Sequence, residues 1–152
     1  MNSSDDIDPG LRAALVSIYE EVMWLSRRPN VSSGRARGWY THIMAESVKR
    51  RLRTFTGSVS QQAVATQGLD LRLEHYMRIQ TTLTALVERH RTDEHPNPEE
   101  FVRTLIAYER VHIVTVKENY DAMRARGDYQ KAGIVLVPVS YTHLTLPTSD
   151  LV

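Results

Sequence analysis

Apolar residues along the first third of the chain recur at spacings of three and four. Leu11, Leu15, Ile18, Tyr19, Val22 and Leu25 fall on one face of a helix. Asp8 is a suitable cap, Pro9 fits the first helical position, and Pro29 stops the run, with Arg27 and Arg28 in its last turn. Asn30 to Gly38 gathers Pro-adjacent, Ser, Gly and Arg residues and reads as a loop. Trp39, Ile43, Met44, Val48, Leu52 and Phe55 then predict a second helix over 39–55, ended by Gly57. Ser58 to Thr66 reads as a short helix. Asp70 opens a third long one to about His90, with Leu73, Met77, Ile79, Thr82, Leu83, Leu86 and Val87 inside. Asn97, Pro98, Glu99 and Glu100 form a helix start, followed by Phe101, Val102, Leu105 and Ile106. Val111 to Thr115 is β-branched and short, as a strand should be. Thr115 and Glu118 have capping-box spacing for a helix that ends at Gly127, and Ala132 to Val137 reads as a second strand.

These elements predict a mainly α fold: a small bundle of four or five helices, with two short strands near the C-terminus. The expected organisation is a disordered stretch over 1–8 and a single helical domain over 9–137.

The end of the chain reads differently. Val139 to Thr148, VSYTHLTLPT, resembles over ten consecutive residues the translation of a transposase-type library adapter. The resemblance implies that 138–152 are a non-native tail, that His143 carries no function, and that the intact gene continues differently after Val137.

Composition narrows the chemistry. The absence of cysteine removes disulfides, zinc-thiolate sites and cysteine nucleophiles, and suits a cytoplasmic location. No apolar run approaches the ~20 residues of a membrane span, so no membrane partner is expected. Net charge is only +1, but it is uneven. Between Arg27 and Gly57 lie eight basic residues and one acid, Glu46, a local net charge of +7. Such a stretch points to an anionic partner.

No motif supports catalysis. His42, His75, His90, His95 and His112 lack the i, i+4 spacing of a helical metal site, no serine stands in G-x-S-x-G, and Gly34 and Gly38 are not set in a phosphate loop. No cofactor, metal site or catalytic residue is therefore expected. Ser58 to Thr66, the Gln67–Asp70 turn and the segment from Leu71 have the order of a helix-turn-helix, with Val64 where a small residue is usual. The segment from Val111 to Asn119, followed by Asp128 to Ile134, resembles the end of uncharacterised bacterial HNH-like proteins. In that family an upstream E-H-h-x-P motif carries the histidine that activates water beside a divalent metal. Here Thr41-His42-Ile43-Met44-Ala45 lacks both its Glu and its Pro. The resemblance thus implies a nuclease, or a degenerate relative that keeps a nucleic-acid-binding shell.

The first functional expectation is a non-enzymatic module for DNA or RNA, with Arg35, Arg37, Lys49, Arg50, Arg51 and Arg53 on phosphates. The alternative is a protein-interaction domain using helix 9–27, with Tyr19, Met23 and Trp24 as exposed anchors.

Overall fold

A computed structural model describes residues 7–75 and 77–139. They divide into two compact units, each drawn from two stretches of chain.

The first unit comprises residues up to Arg53 together with Arg78–Glu109, and it is helical. Helix α1 spans Pro9–Ser26, capped by Asp8, whose carboxylate accepts the Leu11 N–H at 2.9 Å. Its buried face is Leu11, Leu15, Ile18, Tyr19, Val22 and Met23. Next, α2 (Ser33–Gly38), a π-helical segment (Trp39–Met44) and α3 (Ala45–Leu52) follow without a break in helical backbone. Most of the stretch read as a loop over 30–38 is therefore helix. Ser32 caps it through the Arg35 N–H, and burial of Ala36 and Arg37 outweighs the poor propensity of its Ser and Gly residues. Helices α5 (Ile79–Arg91) and α6 (Pro98–Tyr108) complete the unit, α6 beginning at the expected Asn97–Pro98 cap. Phe101 is fully buried between Tyr19 and Tyr40, at ring distances of 5.3 and 5.9 Å.

The second unit comprises Thr54–Met77 and the residues from Arg110 onward, and it holds a four-stranded sheet. Its strands are β1 (Thr54–Ser60), β2 (Leu71–His75), β3 (Arg110–Thr115) and β4 (Leu136–Pro138), in the order β2-β3-β1-β4. β1 and β3 are parallel, while β2 and β4 run antiparallel to their neighbours. The register of β1 on β3 slips between Phe55 and Val59, where Gly57 takes φ 83°, a bulge conformation that suits glycine. Helix α4 (Gln61–Ala65) packs Ala63 with Val59, Leu71 and Ile113. Helices α7 (Val116–Arg124) and α8 (Tyr129–Ala132) cover the opposite face, where Val114, Ala122 and Ile134 cluster.

The protein is therefore α/β with a mixed sheet, and the expectation of a mainly helical bundle is overturned. β2 and both ends of β1 fall where the sequence predicts helix, with Gly57 expected as a helix stop between them. Leu71 and Leu73 alternate in only five residues, and β1 is rich in Thr, Ser and Gly, so neither shows a strong local period. Their pairing is with β3, far away in sequence, and that partner decides their state. The helix-turn-helix reading fails with them, since a strand follows the turn. The second expected strand over 132–137 is shorter: α8 and a left-handed Gly133 come first. Residues 1–6, expected to be disordered, lie outside the described residues. So do Ser140 to Val152, all but the first two residues of the tail expected to be foreign.

Candidate nucleic-acid interface

The six basic residues singled out from the sequence all lie in the first unit, but they do not form one patch. Arg35 is exposed on α2. Arg37, two residues on, is only 9% exposed and turns inward. Its guanidinium donates to Thr84 Oγ1 at 3.2 Å and to Thr41 Oγ1 at 2.9 Å, tying α2 to α5. Arg53 is also committed. Its Nε donates to Glu109 Oε1 at 3.3 Å, and Glu109 is 2% exposed. That ion pair holds a buried carboxylate and serves the fold.

The other three are consecutive in the last turn of α3. Val48 and Leu52 enter the core, which leaves Lys49, Arg50 and Arg51 to the outer side. Lys49 is half-buried and pairs with Glu46 at 2.5 Å; the ammonium holds the Glu46 carboxyl below its ordinary range. Arg51 is exposed and reaches Asp8 at 3.4 Å. Arg50 is exposed and makes no ion pair among the described residues. Exposed pairs of this kind add little to stability and exchange readily for a phosphate. At ~1.5 Å per residue, Arg35 stands roughly 20 Å from Arg50 along the helical run, a second contact rather than part of the trio.

Other polar groups gather, mostly at places that no sequence motif marks. In the first unit Tyr19 shares a 2.5 Å hydrogen bond with His90 Nδ1, and His90 Nε2 lies 2.8 Å from Glu100, which also accepts two bonds from Arg89. Bonding from Arg89, together with His90, brings the Glu100 carboxyl down to about 2, while burial pushes the Tyr19 phenol up to about 12. In the second unit the buried Ser60 hydroxyl donates to Glu118 Oε1 at 2.5 Å, and the Thr115 N–H donates to the same oxygen at 3.0 Å. The capping-box spacing announced the second bond but not the first. On the face covered by α7 and α8, Asn119 donates to Glu74, and His112 shares a hydrogen bond with the Tyr129 hydroxyl. Burial pushes His112 down to about 4 and raises Glu74 above its usual range. A cleft of about 1070 Å³ in this unit is lined by Arg72, Lys117 and Arg124 against Asp70, Glu118 and Asp121. Asp121 binds both Lys117 and Arg124, so the cleft presents no net charge to a ligand.

Of the three anchors expected on α1, Tyr19 and Met23 are each 3% exposed and belong to the core; only Trp24 is outside. His42 is exposed on the π segment, and among the described residues no three His, Asp or Glu side chains gather as metal ligands. Among those residues no helix is long and apolar enough to cross a membrane. No family model, curated protein or solved structure matches the chain.

Proposed function

We propose that the helical unit binds nucleic acid through phosphate contacts from Lys49, Arg50 and Arg51, with Arg35 as an outlying contact. The observation that carries this reading is the last turn of α3, where three consecutive cations are turned away from the core, with Glu46 beside Lys49 and Asp8 beside Arg51 as exposed acids. Arg37 and Arg53 act as supports for the helical run and not as ligands. Such contacts are electrostatic, so they favour nucleic acid of any sequence. A cysteine-free chain fits work in the cytoplasm.

The test is anisotropy with labelled DNA across a salt series, on the full chain and on a Lys49→Glu, Arg50→Glu, Arg51→Glu variant. Four phosphate contacts on a duplex give a log–log salt slope of about −3 to −4. The variant should lose at least about tenfold in affinity and most of that slope. A folded wild-type sample that binds nothing at low salt sinks the reading.

A further inference from the structure

The helical spacing of α1 sends Leu15, Ile18, Tyr19, Val22 and Met23 inward, and it sends Trp24 out. An indole is costly to leave in water, yet Trp24 is 62% exposed. It is also held in place: the Arg28 guanidinium, one turn on, sits 5.1 Å from the ring centroid, a cation–π contact that fixes the ring's orientation. Beside it is a recess of about 560 Å³ whose lining includes Met23, Pro96, Arg27 and Arg28, with Glu20 as its acid. Arg27 is anchored by bonds of 3.4 Å to the carbonyls of His90 and Arg91, at the end of α5. An oriented aromatic face, an apolar recess and two cations against one carboxylate suit a ligand with flat rings on a polyanionic thread.

We infer that Trp24 and Arg28 form a base-stacking site, and that the preferred ligand is single-stranded nucleic acid. This rests on the reading that the helical unit binds nucleic acid. The cations of α3 do not distinguish single strands from duplex, whereas a stacking platform does. Bases inside a duplex already stack on one another, while those of a single strand are free to lie on an indole. Arg28 holds one face of the indole, the base takes the other, and Arg27 meets an adjoining phosphate.

The experiment compares wild type, Trp24→Ala, Trp24→Phe and the triple glutamate variant of α3. The probes are an oligothymidylate of roughly 20 nucleotides and a mixed-sequence duplex of the same length. Wild type should bind the single strand at least about tenfold more tightly than the duplex, with quenching of tryptophan fluorescence. Trp24→Ala should lose about tenfold on the single strand and keep its duplex affinity and salt slope. Trp24→Phe, still aromatic, should stay within about threefold of wild type. Equal single-strand binding by wild type and Trp24→Ala, with loss only in the glutamate variant, overturns the stacking site and leaves the α3 reading standing. Absence of binding by folded wild type overturns both. Self-association abolished by Trp24→Ala, without single-strand binding, would assign the platform to a protein partner and also overturn it.

Discussion

The two units are held by different means. The first has sixteen buried apolar residues in one cluster, from Leu11 to Leu105. The second has two small clusters of four and three buried apolar residues. It buries the polar side chains Ser60, His112, Thr115 and Glu118, a far larger share of its interior than Ser26, Ser33, Arg37, His90 and Glu109 make of the first unit's. The helical unit is stabilised chiefly by apolar area, and its weak points are cavities. The sheet unit leans more on satisfied hydrogen bonds, and its weak points are protons and lost partners.

The contrast is sharpest in its largest expected effect. Phe101→Ala should cost about 4 kcal/mol by opening a cavity between Tyr19 and Tyr40. Both tryptophans, Trp24 and Trp39, belong to the first unit, so their fluorescence during urea unfolding reports on that unit. A loss below about 1 kcal/mol would mean that the aromatic cluster repacks.

Acid should act on the other unit. His112 has its folded pKa lowered by burial to about 4, below the ordinary 6.5. As pH falls from 6.5 the unfolded chain gains a proton that the folded one refuses. Stability is therefore full above about pH 6.5, is lost between there and pH 4, and levels off below; the loss is up to about 3 kcal/mol. Hydrogen exchange in β3 at pH 7, 5 and 4 should show it, and His112→Gln should flatten the difference. An identical acid limb in that variant would remove His112 as the cause.

A third effect sorts the basic residues by task. Arg53→Ala should destabilise by about 2 kcal/mol, because it strips an ion partner from the buried Glu109; Arg53 is itself 18% exposed, which keeps the cost below that of a fully buried pair. Arg50→Ala should change stability by less than about 0.5 kcal/mol. Equal costs in chemical denaturation would break the distinction between supporting and ligand cations. Of the predicted losses the smallest is that of Thr115→Ala, larger than the near-neutral Arg50→Ala: it removes half of the capping box of α7 and should cost about 1 kcal/mol, visible as faster exchange of the Glu118 amide.

The same contrast explains what the sequence disclosed. Helix α1 and the start of α6 were legible because their signals are local: a stripe of Leu and Val, and caps at Asp8 and Asn97. β3 and the α7 capping box were legible for the same reason. β1 and β2 were not, since their partners lie elsewhere in the chain and their five to seven residues fit a helix as well as a strand. Among the candidate cations the local charge run was plain, but charge density does not say which side chain turns inward. Arg37 and Arg53 differ from Arg35 and Arg50 only in what tertiary packing places beside them, Thr84 for one and Glu109 for the other. Trp24 could be marked as lying off the apolar stripe, whereas Tyr19 and Met23 lie on it, and the helical period alone could have separated them.

The order of strands along the chain has a consequence for synthesis. β1 ends at Ser60, and its two partners, β3 and β4, begin only at Arg110 and Leu136. At ~5–20 residues per second, the ribosome delivers the start of β3 roughly 3–10 s after the end of β1. Throughout that interval the β1 segment has neither partner and its backbone is open to pairing with another chain. Its sequence, TFTGSVS, meets the hazard with hydroxyls and a glycine where a bulk-apolar strand would invite aggregation. The polarity that hid β1 from pattern reading is the same property that keeps the nascent chain safe until β3 arrives.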